Sequence, residues 1–509
     1  MRWQYKISLV LLILGTRTAD AQDSLSAPLL AEQLSPVTTL RDGIYASPSL
    51  RALQRQYNYA QIGASFRNHN QNLYLQQEGS GQRVLTLHSE TYLRQNASTT
   101  LWGNATYHNR NLKKVKFNET SDYHLVYPYV TSDSVGGDLK AESYSFQAGL
   151  AKAVGQYQLG LQAGYKGEQT YRNRDPRPKN TSSTLDLLLS ASRKLNNRYA
   201  LALDINGTKY NQNNLLAFVN DLGVPMVYQD AGLGMYNELL KGTDNSGKLT
   251  LMYNGLGYSA TLQLAPVKYQ GWFARASFAQ FRVEKKKNGI IDELSTSREQ
   301  KFTGTIGYLK ESAKRHFLAQ VQGTSLKREG IESKFILQSR DSNNVIRLYK
   351  LADELRYTHD YTQVTARTVY GQTTGSITWY GGLEAGYTNS SQQYVLPTRE
   401  LSYSQWQAGI DLTAIKKIRS TTLSLGLQVQ KQQNIDRTGY WPDLSADRAN
   451  YYMLTSNLSY LLSSRMLYGG SLRVDFPLSD KLGGMVRVDG GHQTGIGRND
   501  FSATMAVRF

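Results

Sequence analysis

The chain closes on Phe501-Ser-Ala-Thr-Met-Ala-Val-Arg-Phe509, nine residues with a strict two-residue alternation. Successive side chains of an extended strand point to opposite faces, so Phe501, Ala503, Met505, Val507 and Phe509 share one side. Ser502, Thr504, Ala506 and Arg508 share the other. One side suits hydrocarbon and the other suits water. A half-buried strand of a soluble β-protein alternates in the same way, so the choice depends on the rest of the chain.

The alternation recurs. Ala60, Ile62, Ala64 and Phe66 share a face, as do Leu185, Leu187, Leu189 and Ala191, and Leu423, Leu425, Leu427 and Val429. Tyr144, Phe146, Ala148 and Leu150 turn through Ala153-Val-Gly-Gln into Tyr157, Leu159, Leu161, Ala163 and Tyr165. Tight turns alternate with long polar connections such as Arg110 to Leu139, Gln169 to Ser182 and the stretch ending near Gly247. This asymmetry is that of a membrane barrel with short periplasmic turns and long extracellular loops. The count is 18 or 19 segments, and single-chain bacterial barrels hold an even number. We therefore expect about 18 strands, with Tyr452 to Tyr460 or Lys334 to Leu337 as loop structure. Leu249, Leu251 and Tyr253 are odd while Tyr258, Ala260, Leu262 and Leu264 are even, which predicts a bulge at Gly255 to Gly257.

The first residues, Met-Arg-Trp-Gln-Tyr-Lys, precede the apolar run Ile7 to Gly15 and the small-x-small site Ala19-Asp20-Ala21, so residues 1–21 read as a secretory signal. No segment approaches the roughly 20 apolar residues of a membrane helix, so bilayer insertion requires a barrel. Mean hydropathy is negative, as expected when only every second residue meets lipid. Tyr outnumbers Phe by 35 to 13, which suits aromatic girdles at headgroup depth. The chain has no cysteine, which excludes disulfides, thiol catalysis and an amino-terminal lipid anchor. The net charge is +18, or +16 once Arg2, Lys6, Arg17 and Asp20 leave with the signal. Nucleic acid is not expected outside the cytoplasm, so this excess points to outer-membrane lipids and lipopolysaccharide, or to anions within a lumen.

Residues 22–56 lack alternation and carry Pro28, Pro36 and Pro48, which predicts a periplasmic tail or a small lumenal plug; residues 57–509 form the barrel. The loop Asp175-Pro-Arg-Pro178, the hairpin from Tyr144-Ser-Phe-Gln-Ala-Gly to Tyr165 and the terminal strand together resemble a Bacteroidota outer-membrane β-barrel family of unknown function. That resemblance implies a cell outer membrane location and association with a TonB-dependent receptor and a surface lipoprotein encoded nearby. It supplies no activity. The terminal strand, through Phe501, Ala503, Met505, Val507 and Phe509, resembles the segment that barrel-assembly machinery reads.

Little in the chain carries catalytic chemistry. Gly242-Thr-Asp-Asn-Ser-Gly-Lys248 imitates a phosphate-binding loop, but Leu249 replaces the Mg²⁺-binding hydroxyl. The histidines at 69, 88, 108, 124, 316, 359 and 492 lack metal-ligand spacing, so no metal site and no cofactor is expected. His88 and Ser89 are adjacent on a strand and point apart, which prevents a direct nucleophile pair. Arg172, Arg174, Arg177 and Lys179, stiffened by Pro176 and Pro178, form the candidate contact for an anion or partner. Lys285-Lys-Lys287 reads as the place where a strand reaches anionic headgroups. The chain therefore reads as a non-enzymatic outer-membrane barrel, either a porin-like passive channel or an accessory subunit of a TonB-dependent uptake or surface-lipoprotein complex. A lipid-modifying enzyme and a surface binding or adhesion protein are the alternatives.

Overall fold

The computed structural model describes residues 33–219, 226–242, 248–287, 293–337, 348–479 and 481–509. The expected signal at 1–21 lies outside them, as do residues 22–32 and the core of the phosphate-loop-like stretch.

Chain order gives β1 (Tyr59–Asn70), β2 (Gly81–Arg94), β3 (Thr99–Val115), a short β4 (Thr131–Asp133), β5 (Gly137–Val154), β6 (Tyr157–Tyr171), β7 (Arg177–Lys194) and β8 (Tyr199–Ala217). Two short strands, β9 (Val227–Gly232) and β10 (Met235–Tyr236), precede β11 (Lys248–Pro266), β12 (Gln270–Lys287), β13 (Glu293–Glu311), β14 (Arg315–Leu337) and β15 (Leu348–Thr374). The circuit ends with β16 (Ile377–Tyr394), β17 (Arg399–Ile418), β18 (Thr421–Tyr440), β19 (Arg465–Pro477), β20 (Gly483–Gln493) and β21 (Arg498–Arg508). Apart from β4, β9 and β10, each strand pairs antiparallel with the next, and β21 pairs back onto β1 from Gln61 with Arg508 to Asn70 with Asn499. The result is a closed transmembrane barrel of 18 strands without a free sheet edge. No described helix is long and apolar enough to cross a membrane.

Alternation places large apolar side chains outside. Leu185, Leu187 and Leu189 on β7 are about half exposed, whereas Ser190 on the opposite face is buried. The expected bulge at Gly255 to Gly257 is absent, because β11 keeps continuous register with both β8 and β12. Leu249, Leu251 and Tyr253 instead point inward and are fully buried, while Leu256 and Tyr258 point outward and are exposed. The apolar parity switches because the covering changes from lipid to protein.

Two further expectations separate. Tyr452 to Tyr460 lies in a helix and is not a strand, but Lys334 to Leu337 belongs to β14 and pairs with β15. The loop expected from Gln169 to Ser182 shrinks to residues 172–176, and Pro178 sits inside β7 opposite Leu216. Without an N–H, Pro178 cannot return the bond that Arg172 N gives to its carbonyl, and the pairing with β6 stops at Tyr171 with Lys179.

The lumen is filled from both ends. At the short-turn end, α1 (Pro36–Ile44) and a 3₁₀ turn (Pro48–Leu53) form a plug. Val37, Ile44, Tyr45 and Leu50 pack on Ala200, Ala265, Phe273, Leu309, Leu318 and Val369 of the wall. Ser47 Oγ donates to Asp204 at 2.6 Å, and Tyr269 Oη donates to Leu53 O at 2.7 Å. Gly160 lets the plug backbone approach: a Cβ there would stand 2.5 Å from the Pro48 carbonyl carbon. At the long-loop end, the β3–β5 connection, carrying α2 (Tyr123–Val126) and β4, pairs with β9 and β10 as a three-stranded sheet. This insert buries Val126, Val130, Val227 and Leu240 against Leu249, Leu251, Tyr253 and Val283. The β18–β19 connection carries α3 (Ala449–Leu462), whose Met453 and Leu454 pack on Phe117.

Candidate functional site

Three consecutive strands repeat one short pattern: Arg473-Val-Asp475 on β19, Arg487-Val-Asp489 on β20 and Arg498-Asn-Asp500 on β21. A spacing of two keeps both charges on one face, opposite the exposed Leu472, Val486, Val488 and Phe501, and therefore on the lumen side. Each guanidinium clamps its own strand's carboxylate. The two contacts are 2.9 and 3.1 Å at Asp475, 2.8 and 2.6 Å at Asp489, and 2.7 and 2.8 Å at Asp500. Such paired bonds fix the plane of the guanidinium.

Register stacks the pairs into a stripe. Arg473 stands beside Arg487, and Asp489 stands beside Ser502, whose hydroxyl donates to it at 3.0 Å. Arg67 on β1 lies opposite Ser502 on its other side, and Arg508 reaches Asp475 at the short-turn end. Gln428, Gln430 and Gln432 extend the polar wall onto β18. Along this stripe Arg67, Arg473, Arg487, Arg498 and Arg508 outnumber Asp475, Asp489 and Asp500. The plug's apolar residues pack on β8 and β11 to β17, its 3₁₀ turn runs against β3 and β5 to β8, and its end reaches β2, where Tyr92 Oη donates to Arg51 O at 2.6 Å and Arg55 stands 3.8 Å from Glu90.

Above the stripe, toward the long-loop end, is a cavity of about 550 Å³ bounded by His69, Arg110, Asp122, Tyr123, Glu168 and Arg498. Arg110 and Lys166 hold Glu168 at 2.6 and 3.1 Å. Behind it, Arg172 is buried and donates to Glu119 and, at 3.1 Å, to Asp133. Burial, then the adjacent Asp133, push Glu119 well above the carboxylate range against the pull of Arg172. Burial also opposes ionisation of Asp133, but bonds from Glu119, Arg172 and Gly136 N outweigh it and hold Asp133 low.

The four expected contact residues do not act as one patch. Arg172 faces inward and ties the insert to the wall, Arg177 binds Asp175 at 2.6 Å, and Arg174 and Lys179 are exposed. The reason is topological: Glu119 and Asp133 fold in from more than one strand away. Lys285 also departs from expectation. It is buried, with Nζ donating to Val130 O at 3.0 Å beneath the insert, away from any headgroup. On β21, Phe501 and Met505 are exposed on the outer face with Ala503 and Val507 half-buried beside them, and Phe509, just after the strand, is exposed.

The histidines are dispersed: His88 meets Gln61 at 3.1 Å, His359 meets Ser390 at 3.0 Å and His492 meets Asn499 at 2.9 Å. No group of three metal-ligating side chains occurs among the described residues. The Arg-x-Asp triplet is not among the site residues expected from the sequence, although its signal, the same pattern in three adjacent carboxy-terminal segments, is visible there.

Residues 48–509 match the model of a family described as "Family of unknown function (DUF6850)". No curated protein matches the chain. Among solved structures, the chain is similar to BauA, the ferric preacinetobactin receptor from Acinetobacter baumannii, at 8% identity and a TM-score of 0.37, covering 89% of this chain and 80% of that one. It is also similar to the apoprotein form of the FrpB iron transporter from Neisseria meningitidis, at 9% identity and a TM-score of 0.40, covering 92% and 83%. The ferric-catecholate import receptor Fiu from E. coli gives 8%, 0.37, 89% and 82% on the same measures.

Proposed function

We propose that this chain, which belongs to the DUF6850 family of unknown function, is a non-enzymatic outer-membrane barrel that passes small anionic solutes along the arginine-bearing side of its lumen. The arginine stripe carries the proposal. A lumen of 18 strands is wide enough for water unless it is filled, and the apolar cores of the plug and insert pack on β8 and β11 to β17, away from β19 to β21. Guanidinium groups in fixed orientation favour anions over cations in a narrow aqueous path. The outer-membrane assignment rests on the closed circuit, the even strand number, the exposed apolar band and both barrel termini lying at the short-turn rim. In this reading Phe501, Ala503, Met505, Val507 and Phe509 present the edge that assembly machinery engages, and Arg174 and Lys179 remain as rim contacts for anionic groups.

Planar-bilayer recording in a KCl gradient tests it. The reversal potential should report anion preference. Arg473→Gln, Arg487→Gln and Arg498→Gln combined leave Asp489 and Asp500 without their arginines and Asp475 with Arg508 alone, and should move the preference toward cations. Absence of conductance contradicts the proposal.

Packing of both ends favours a second reading, an accessory subunit bound to a TonB-dependent receptor and a surface lipoprotein. That reading predicts co-purification with such a receptor after mild detergent extraction. Purification alone under every mild condition contradicts it.

A further inference from the structure

We infer that the outer wall from the β1–β21 seam across β2 and β3 to β5 holds one phosphate-bearing, multiply acylated lipid, with its acyl chains in an apolar groove there and its phosphate in a basic cleft above, at the long-loop rim.

The groove measures about 630 Å³ on the lipid side of the seam between the first and last strands. Ala64, Ser89 and Ala105 are small among outward-facing neighbours such as Leu87, Phe146 and Met505, so the surface sinks between large side chains. The cleft, about 720 Å³, is lined by Lys114, Lys116, Lys140 and Arg174. Lys140, Tyr144 and Phe146 share one face of β5, so cleft and groove lie on one line. Tyr144 lies four positions along the strand from Lys140, roughly 13 Å, which is the scale of a lipid headgroup. Between them Tyr107 and Tyr144 meet with ring centroids 4.9 Å apart, marking the interfacial height.

Charge selects the occupant. Asp138 is taken by Lys113 at 2.6 Å and by Lys114 N at 3.0 Å, and Glu142, lower on β5, accepts from Asn109 at 3.5 Å. Lys114, Lys116, Lys140 and Arg174 have no ion-pair partner among the described residues. Four cations above a hydrocarbon-sized depression match a phosphorylated acyl lipid better than a free anion, which leaves the groove empty.

This inference rests on the proposed bilayer placement but not on conduction, so a sealed lumen leaves it standing. The test is native mass spectrometry of the full, detergent-purified protein with bisphosphorylated lipid A. One retained lipid is expected, and Lys114→Gln, Lys140→Gln and Arg174→Gln combined should weaken retention about tenfold. Ala64→Trp with Ala105→Trp, which fills the groove, should do the same, while heat-dependent gel mobility reports that each variant's barrel remains closed. Equal retention by closed-barrel variants, equal retention of dephosphorylated lipid A, or displacement by excess inorganic phosphate overturns the inference.

Discussion

Arg41 of the plug helix α1 donates to Glu311 at the short-turn end of β13 at 2.7 Å, with the arginine side chain only 1% exposed. The pair ties the plug to the side of the barrel opposite the arginine stripe. Removing one partner of a buried pair costs about 3–5 kcal/mol, because the other charge stays out of water. Glu311→Ala should therefore release the plug, seen as larger or noisier bilayer currents and as new protease cleavage within 33–56. Unchanged currents and cleavage would show that the plug is held elsewhere.

Leu251 and Leu256 lie on the same strand and face opposite ways, the first fully buried beneath the insert and the second 65% exposed. Leu251→Ala opens a cavity and should cost about 2–5 kcal/mol of insert packing. Leu256→Ala, facing detergent or lipid, should cost far less. Unfolding midpoints of the two variants compare these costs, and equal losses would contradict the assignment of faces.

Asp230 on β9 is half-buried in the insert, and loss of hydration there pushes its carboxyl from 3.8 up to about 7. A group whose folded value exceeds its unfolded one holds its proton more tightly when folded. Docking of β9 is therefore strongest below 3.8 and weakens as pH rises toward about 7, where the loss is complete. Glu119, also raised, acts with the same sign, whereas Asp133 is held low and its contribution fails only in stronger acid. Hydrogen exchange in Val227–Gly232, corrected for intrinsic rates, should be slower at about pH 5 than at about pH 8, and Asp230→Asn should remove most of the difference. The opposite order would contradict the desolvation of the Asp230 carboxyl.

The legible parts of the chain were those governed by local alternation. Leu185 to Leu189 and Phe501 to Phe509 announce a lipid face because nothing else covers them. At Leu249 to Tyr253 the same signal misled, since periodicity does not distinguish hydrocarbon from a protein interior supplied by residues 116–136 and 226–242. Tyr452 to Tyr460 has aromatic spacing that serves a helix capping the rim. Arg172 and Lys285 looked like solvent or headgroup contacts because their partners, Glu119, Asp133 and Val130, are distant in sequence. The Arg-x-Asp tripeptides were in plain view, but only the register of β19, β20 and β21 stacks them.

Around the whole barrel, outward side chains touch hydrocarbon while their immediate neighbours touch lumenal water. The chain lacks cysteine, so single nitroxide labels can be placed cleanly at Met505→Cys and Thr504→Cys and read in reconstituted vesicles. Collisions with oxygen should dominate at 505, and collisions with a water-soluble nickel chelate should dominate at 504. Labels that are equally shielded from both quenchers, or a reversal of the two, would contradict the claim.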